Sequence, residues 1–391
     1  MTCMSQEIHP GKIFRMNFET IRLSKSCIGS LEKEAVIDVL DKEYLGMGPK
    51  VEEFEQLLSE YFGRPAVCVV NGTAALHLAL QAIGVKRGDE VLVPSITYVA
   101  SYQAISAAGA IPISCDIDQG TFCIDVEDAK RRITDKTVAI MPVHYAGGTG
   151  MISAYYELAH KYGLRVIEDS AHALGSSYNE KLIGSFGDIA CFSFDGIKNI
   201  TSGEGGCIVT EDPLVLKKIK DARLLGVEND TEARFKGQRT WDISVSEQGW
   251  RYHMSEIMAA IGIVQFNRLE EFSKSRQLLA RRYNSNFEQI KRLRPMINNF
   301  QNIVPHIYVL KIDGLTDRNL LRKKMLAEGI ETGIHYPPNH LLKYFSNQNN
   351  ESLPVTNQYF PQLLSLPLHP ELSFDDVDKV CNVLISILKD L

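Results

Sequence analysis

The sequence predicts an α/β fold in which a mostly parallel sheet is sandwiched by helices, followed by a smaller α+β unit. From about residue 50 to 225, short β-branched runs alternate with longer amphipathic segments. Several of the short runs are almost continuously apolar, as expected for strands that helices cover on both faces. After residue 255 the rhythm changes to a long helix and a mixed tail. We therefore expect a large domain with an N-terminal arm over residues 1–254, and a bridging helix with a small domain over residues 255–391.

The individual elements follow from the period of the apolar residues. The strands predicted in the first unit cover residues 66–70, 90–93, 111–115, 137–143, 164–168, 189–194 and 207–210. The helices predicted between them cover residues 73–83, 99–108, 126–133, 153–162 and 213–225. In the second unit the pattern predicts a bent helix over 255–293, a strand over 303–312, a helix over 318–328, a strand over 332–335 and a final helix over 374–388. The polar stretch 226–248 is too long for an ordinary connection, and loops of that length are usually functional.

Composition and charge exclude several classes of function. With 391 residues, 45% of them apolar and 23% charged, the chain has the proportions of a globular protein. Its 42 basic and 48 acidic residues are interspersed, so no basic face indicates a nucleic-acid partner. The N-terminus has no signal-peptide core, and no stretch approaches the roughly 20 apolar residues of a membrane span. We expect a cytoplasmic protein without a membrane partner.

The cysteine and histidine spacings do not indicate a metal site or a disulfide framework. The eight cysteines are scattered without a C-x-x-C pair, and several lie in apolar, strand-like stretches, so buried free thiols are expected. His335 and His340 lack further ligands at metal spacing. The G-x-G-x-x-G, Walker and H-E-x-x-H motifs are absent from the sequence. No metal is expected, and dinucleotide and zinc enzymes are disfavoured.

The segment CFSFDGIKNITSGEGG, residues 191–206, carries a lysine on a tight turn. A strand ending at Ser193 leads into the turn with Lys198, and a glycine-rich stretch then returns to the next strand. A lysine in a concave, partly dry region loses proton affinity and becomes nucleophilic enough to condense with an aldehyde. The Ser193 hydroxyl could bind a phosphate beside that aldehyde. The alternative is that Lys198 is a solvated loop lysine.

The segment LRVIEDSAHALG, residues 164–175, ends a strand with the paired carboxylates Glu168 and Asp169. Sheets of this kind place their ligands beyond the carboxyl ends of the strands. Asp169 could pair with a pyridinium nitrogen and keep it protonated, so that the ring serves as an electron sink. His172 could bond the phenolic oxygen of the same ring. The alternatives are a helix N-cap for Asp169 and a satisfied core histidine for His172.

Two further strand ends offer binding groups. In VVNGTAALHLAL, residues 69–80, Gly72 permits close approach to the start of a helix, and Thr73 adds a hydroxyl, which together would make an anion site. In PSITYVAS, residues 94–101, Tyr98 lies at the end of the next strand, where its ring could stack on a flat cofactor. The alternative for Tyr98 is a core aromatic.

Taken together and in this order, the segments resemble the sugar aminotransferases of the DegT/DnrJ/EryC1/StrS family, of fold type I in the aspartate aminotransferase superfamily. The resemblance extends from YLGMGPKVEEFE (44–55) through the segments above to HMSEIMAAIG (253–262), IETGIHYPP (330–338) and SLPLHPELS (365–373), which is nearly the whole chain. Within the family, PVHYAGG (142–148) and IKNIT (197–201) are most similar to enzymes that aminate a C4 ketone.

The resemblance implies pyridoxal 5'-phosphate as the cofactor and assigns residues to it. It implies that Lys198 bonds the cofactor and acts as catalytic acid and base, with Asp169 at the pyridine nitrogen. His172 would lie near the ring oxygen and Tyr98 on the ring face. The phosphate would be bound by Gly72, Thr73 and Ser193.

The resemblance also implies an activity and partners. We expect ping-pong transfer of an amino group from L-glutamate, through the pyridoxamine form of the cofactor, to a nucleotide-linked 4-keto sugar. The product would serve surface-polysaccharide or glycan synthesis, such as lipopolysaccharide O-antigen, and the protein would be a homodimer with shared active sites. The alternatives are a C3-keto sugar aminotransferase, a sugar dehydratase and a non-catalytic sensor. Dehydratases of the family carry histidine where this chain has Lys198, and a sensor would be expected to have lost Lys198 or Asp169.

The sequence departs from the family in three places. Many relatives read G-x-N-x-R after the long loop, with the asparagine reaching the partner's phosphate, whereas this chain reads GWRYH over 249–253. Arg251 is expected to take over that phosphate contact, with His253 as the alternative. Residue 195 is Asp where relatives often carry His, Tyr or Asn. Residues 226–248, with Trp241 and Asp242, fall where the family varies most, and the sequence assigns them no role.

Overall fold

The computed structural model describes residues 20–238, 243–346 and 352–389. The helices are α1 Ser30–Asp41, α2 Pro49–Phe62, α3 Gly72–Ala82, α4 Val99–Ala107, α5 Val126–Arg131, α6 Ile152–Tyr162, α7 Pro213–Ala222, α8 Asp230–Phe235, α9 Glu256–Asn267, α10 Leu269–Phe287, α11 Arg318–Ala327, α12 Pro354–Tyr359 and α13 Phe374–Lys389. The strands are β1 Ala66–Val69, β2 Glu90–Pro94, β3 Ile111–Cys115, β4 Thr137–Ile140, β5 Arg165–Asp169, β6 Ser177–Tyr178, β7 Lys181–Leu182, β8 Ile189–Ser193, β9 Gly206–Thr210, β10 Leu293–Pro295, β11 Tyr308–Ile312 and β12 Leu363–Leu366.

The central sheet has the strand order β1-β9-β8-β5-β4-β2-β3 within the described residues. All neighbouring pairs are parallel except those of β9, which runs antiparallel to both β1 and β8. The α/β fold with a mostly parallel sheet is confirmed. Because β8 and β9 pair from Ser193 with Gly206, residues 194–205 form a hairpin that projects from the carboxyl edge of the sheet.

The helix that follows β1 shows why the sequence folds in this way at the site. The Asn71 side chain caps α3 by accepting a hydrogen bond from the Ala74 backbone N–H at 2.8 Å. Nearly every residue after the first turn of α3 is buried, because strands β5, β8 and β9 and helices α4 and α7 together enclose this helix. The N-terminus of α3 is thereby fixed at the carboxyl edge, facing the hairpin.

The predicted bridging helix is present as two consecutive helices, α9 and α10, and it ends earlier than predicted. Ser255 caps α9, the chain bends at Arg268, and α10 ends at Phe287, so the expectation of a helix to about Leu293 was wrong. Leu293 instead begins β10, because it faces a second core that β10 helps to enclose. Helix α9 packs on α1 and α2, whereas α10 packs on α13. The bridge therefore contacts both units, and the boundary at residue 254 stays a prediction.

The C-terminal unit is built around the antiparallel sheet β10-β11-β12. The predicted strand over 332–335 was wrong, since only Gly333 forms a bridge, to Ser365. Pro337 and Pro338 follow and lack backbone N–H donors, so this segment cannot continue a ladder. Strand β12, which pairs with β11 on the side opposite β10, was not predicted from the sequence.

The remaining expectations concern single residues and absences. The cysteines of the described chain are free and buried, and Cys3 lies outside it. None of the helices in residues 20–238, 243–346 and 352–389 combines the length and the apolar character that crossing a membrane requires. In the described part of the chain, no three His, Cys, Asp or Glu side chains are grouped closely enough to hold a metal ion. Trp241 and Asp242 lie outside the described residues.

Candidate active site

A cavity of about 380 Å³ lies at the carboxyl edge of the central sheet. The ends of β1, β2, β5 and β8 meet there, and the segment after Gly333 closes it from the C-terminal unit. The cavity brings together seven of the residues singled out from the sequence, and its lining includes Gly72, Thr73, Tyr98, Asp169, His172, Ser193 and Lys198. Arg251 is the one predicted site residue that does not line it.

Lys198 lies on the hairpin between β8 and β9, with its side chain directed into the cavity. Its backbone N–H donates to the Asp195 carbonyl at 3.0 Å, which closes the turn. Its Nζ lies 3.5 Å from Nε2 of His306. Burial lowers the pKa of Lys198 to about 8, and the positive charge of Arg276 contributes to the lowering. The carboxylates of Asp169 and Asp195 act in the opposite direction and raise the pKa. The amine is therefore neutral far more often than that of a solvated loop lysine.

Asp169 ends β5 and is buried at the floor of the cavity. Its Oδ2 accepts a hydrogen bond from the Ser101 hydroxyl at 2.7 Å, and its Oδ1 accepts one from the Ala171 backbone N–H at 3.2 Å. The residues after Asp169 form turns rather than a helix, so the alternative of a helix N-cap does not apply. An ionised carboxylate has lone pairs left for a further donor in the cavity.

His172 is buried beside Asp169 with both ring nitrogens in contact. Nδ1 accepts from the Ala146 backbone N–H at 3.3 Å, and Nε2 lies 3.1 Å from the Tyr336 hydroxyl. Burial lowers the pKa of His172 well below its usual value, and the neighbouring Lys198 and His335 act in the same direction. A neutral His172 that accepts at Nδ1 carries its proton on Nε2, facing the Tyr336 hydroxyl in the cavity lining.

The start of α3 and the end of β8 form a cradle for an anion. Gly72 approaches Ser193 so closely that a Cβ at Gly72 would lie 2.8 Å from the Ser193 Cβ. The first backbone N–H groups of a helix have no partner within the helix, and its dipole favours negative charge there. The Asn71 side chain already accepts from the Ala74 N–H. The backbone N–H groups of Gly72 and Thr73, beside the Ser193 hydroxyl in the cavity lining, are therefore the ones available to an anion.

Tyr98 is positioned as a face of the cavity rather than as part of the core. It precedes α4, and 56% of its surface is exposed, which contradicts the alternative of a core aromatic. Its ring centroid lies 5.5 Å from that of Tyr336. A flat ring between Lys198, Asp169 and the anion cradle would lie within reach of the Tyr98 ring.

Several residues of the site were not identified from the sequence. Ser101, His306 and Tyr336 contact Asp169, Lys198 and His172 respectively. A hydroxyl one turn into α4 was the only local signal for Ser101. His306 is a single histidine before an apolar strand, a pattern that is typical of a satisfied core residue. Tyr336 lies in the IHYPP segment, which carried the family resemblance but received no individual role.

Arg251 lies on a separate surface. It is exposed and lines a second cavity of about 230 Å³ together with Arg234 and His253. The segment around it is extended, and the residues on either side of Arg251 form backbone hydrogen bonds. The Tyr252 carbonyl accepts from the Val70 N–H at 2.7 Å, and the Trp250 N–H donates to the Ala222 carbonyl at 2.6 Å. The segment is thus anchored beside β1, and Arg251 does not reach the anion cradle of its own chain.

The geometry fits pyridoxal 5'-phosphate: an amine of lowered pKa, a buried carboxylate, an exposed aromatic face and a cradle that a Cβ would fill. Comparison with known proteins agrees. The chain matches the model of the DegT/DnrJ/EryC1/StrS aminotransferase family over residues 26–385. The spore coat polysaccharide biosynthesis protein SpsC of Bacillus subtilis is 35% identical over 371 residues, which cover 93% of this chain and 95% of SpsC.

Solved structures extend the comparison. The pyridoxal-phosphate form of Spr1654 from Streptococcus pneumoniae superposes with a TM-score of 0.88 at 30% identity, covering 95% of this chain and 99% of that one. The sugar aminotransferase CalS13 from Micromonospora echinospora gives a TM-score of 0.85 at 27% identity, covering 94% and 99%. This chain therefore belongs to the DegT/DnrJ/EryC1/StrS aminotransferase family, and its cofactor is pyridoxal 5'-phosphate.

Proposed function

We propose that this protein is a sugar aminotransferase that transfers an amino group from L-glutamate to C4 of a nucleotide-linked keto sugar, for surface-polysaccharide or glycan synthesis. The observation that carries the proposal is the single cavity that joins the Lys198 amine, the Asp169 carboxylate and the anion cradle. The names of CalS13 and SpsC support a sugar substrate and polysaccharide synthesis. The preference for C4 rests on the resemblance of residues 142–148 and 197–201 to C4 aminotransferases.

Lys198 is proposed as the group that moves the proton. Bound pyridoxal 5'-phosphate supplies an electron sink that stabilises negative charge on the carbon bearing the transferred nitrogen. The Lys198 Nζ, when free, takes up a proton from the substrate carbon and returns one, and a pKa of about 8 suits both directions near neutral pH. Each half of the ping-pong exchange uses the same amine.

The other residues of the cavity bind and orient. Asp169 holds a protonated ring nitrogen by charge, and Ser101 fixes the plane of its carboxylate. Neutral His172 would offer the ring oxygen its Nε2–H, which in this structure faces the Tyr336 hydroxyl, and Tyr98 would cover one face of the ring. Gly72, Thr73 and Ser193 hold the phosphate at the positive end of α3.

Adding one methyl group at Gly72 tests the cradle. Gly72→Ala would force the Ser193 Cβ away from a 2.8 Å approach and narrow the phosphate site. We expect the affinity for pyridoxal 5'-phosphate to fall about tenfold or more, the equivalent of one lost hydrogen bond. Titration of cofactor-free protein, followed by fluorescence or absorbance, measures this. Gly46→Ala is the matched control, since a Cβ there meets no atom within 4 Å. Equal affinities in the two variants would place the phosphate elsewhere.

A homodimer is proposed to complete the site. Arg251 is exposed beside β1 and does not line the active-site cavity of its own chain. Its guanidinium is therefore available to a second copy of the chain. A guanidinium can donate two charge-assisted hydrogen bonds to a phosphate, which is more than the amide of the asparagine found in many relatives can donate. His253 lines the same second cavity and is the alternative donor.

Arg251→Ala is expected to release the cofactor. The lost contact corresponds to about 1.5 to 3 kcal/mol of binding free energy, so the variant should lose pyridoxal 5'-phosphate on dialysis and regain activity when it is added in excess. Arg281→Ala, which removes an exposed arginine on α10, is the control. Mixing Lys198→Ala with Arg251→Ala subunits should restore activity, because one site of the mixed dimer has both residues. Undiminished cofactor affinity in Arg251→Ala would instead assign the phosphate contact to His253 or the main chain.

A substrate panel tests the function as a whole. The holoenzyme is incubated with glutamate and with UDP-, dTDP- and GDP-linked sugars that carry the ketone at C3 or at C4, and the products are analysed by mass spectrometry. We expect amino sugars from 4-keto substrates and 2-oxoglutarate in equal amount. Products from 3-keto sugars alone would move the reaction to C3. Loss of a hydroxyl without amination would indicate a dehydratase, and failure with the whole panel would overturn the proposal.

A further inference from the structure

Arg276 on α10 is a buried cation whose hydrogen-bond acceptors, among the described residues, are main-chain carbonyls. Only 2% of its surface is exposed, and it forms no salt bridge with the residues that the structure describes. Its Nη1 donates to the carbonyls of His306 at 3.0 Å and Leu368 at 3.2 Å, and its Nη2 donates to the Lys198 carbonyl at 3.4 Å. Burial of a charge without a counter-ion is costly, so such an arrangement calls for a function.

His306 contacts Lys198 through its side chain. The ring is 3% exposed and lies against His172 with the centroids 4.4 Å apart. Its Nε2 faces the Lys198 Nζ at 3.5 Å, whereas its Nδ1 is buried without a hydrogen-bond partner. Burial lowers the pKa of His306 well below its usual value, with Lys198 and His172 adding to the effect, so the ring is neutral. A neutral Nε2 can accept one N–H of the amine.

We propose that Arg276 and His306 are positioning residues that hold the Lys198 amine neutral and aimed into the cavity. Arg276 fixes the backbones of Lys198 and His306 at one point and adds a positive charge that disfavours the ammonium form. His306 accepts one N–H of Nζ, which leaves the lone pair for the cavity. This inference rests on the role proposed above for Lys198 and extends it to residues of the bridge and the C-terminal unit.

The charges around Lys198 set the sign of the expected effect. The carboxylates of Asp169 and Asp195 favour the ammonium, whereas burial and Arg276 oppose it. Three imidazoles also interact with the amine, those of His172, His306 and His335, and they are neutral because burial lowers their pKa. The titratable side chains of Tyr98, Glu204 and Tyr336 line the same cavity. Removing the Arg276 charge takes away a repulsion that destabilises the ammonium form, while the attraction of the two carboxylates remains. The pKa of Lys198 should then rise.

The effect of the Arg276 charge on the pKa of Lys198 is measured on cofactor-free protein. Lys198 is labelled with a trace amine reagent across a pH series, and peptide mass spectrometry gives the pH at which labelling is half-maximal. We expect this midpoint to rise by about half a unit to one unit in Arg276→Met and to stay near the wild-type value in Arg276→Lys, which keeps the charge. Arg64→Met removes another buried arginine that binds main-chain carbonyls, but away from the site, and should leave the midpoint unchanged. An unchanged midpoint in Arg276→Met would overturn the role of the charge.

Two substitutions of His306 distinguish its role in positioning the Lys198 amine from its role in packing. His306→Phe keeps a ring against His172 and loses the acceptor, whereas His306→Gln loses the ring and keeps a polar atom at similar reach. The rate at which cofactor-free protein captures pyridoxal 5'-phosphate should fall on the order of tenfold in His306→Phe, with most of it recovered in His306→Gln. Wild-type capture by the Phe variant, or equal damage in both, would overturn the proposal. Capture that is insensitive to Lys198→Ala would show instead that the role assigned to Lys198 is wrong.

Discussion

Lys198→Ala should lower the turnover number by at least about 10³-fold, since proton transfer and bonding to the cofactor both depend on this amine. Stability should barely change, because within the described residues the Lys198 amine has one polar contact, at 3.5 Å to His306, and its burial already disfavours the charged form. Steady-state rates with glutamate and a keto sugar, together with a thermal melt, measure the two effects. The variant should also lack the visible absorbance band that Lys198 produces with the bound aldehyde.

Lys181→Ala provides the matched control. Lys181 is an exposed lysine on the short strand β7, away from the cavity lining, and its removal should leave both the turnover number and the absorbance spectrum unchanged. Transamination at the wild-type rate in Lys198→Ala would remove Lys198 from the reaction, whatever the spectrum of the variant. A large fall in melting temperature would mean that the lost activity reflects unfolding.

Asp169→Asn should lower the turnover number by roughly 10²-fold or more while the cofactor stays bound. An uncharged amide cannot keep the ring nitrogen protonated, so negative charge on the substrate carbon is less stabilised in the transition state. The phosphate cradle at Gly72 and Ser193 is untouched, so cofactor content should be preserved. Cofactor content is measured by absorbance after release, and kcat and KM from initial rates, with the loss expected in kcat.

Ser101→Ala provides a graded comparison for Asp169. It leaves the carboxylate in place and removes the hydroxyl that donates to Oδ2 at 2.7 Å. The ionised carboxylate and the hydrogen bond that it accepts from the Ala171 N–H both remain, so the effect on kcat should be smaller than that of Asp169→Asn. An unchanged turnover number in Asp169→Asn would reduce Asp169 to a structural residue at the end of β5.

Much of the fold and of the site could be predicted from the sequence because the signals are local. The alternation of apolar strands and amphipathic helices specified the parallel sheet, and strand ends in such a sheet meet at one edge. Asp169, Tyr98, Ser193 and Gly72 each lie at a strand end or at the helix start that follows it, so their convergence with Lys198 follows from the topology. The cysteines in strand-like runs were predicted to be buried on the same grounds.

The pairing of distant segments was decided only in the tertiary structure. Strand β12 pairs with β11, whereas segment 332–335 lies beside β12 and forms a single bridge, from Gly333 to Ser365. Pro337 and Pro338 follow that segment and lack backbone N–H donors, so its pairing does not extend. His306 and Arg276 belong to the C-terminal unit and the bridge, and no spacing along the chain connects them with Lys198. Their contacts arise because the two units close on each other around the hairpin. The His306 imidazole thereby reaches the Lys198 amine, and the Arg276 guanidinium reaches the Lys198 backbone carbonyl. Residues far apart in sequence meet through packing and burial, and these long-range terms leave no periodic signature in the sequence.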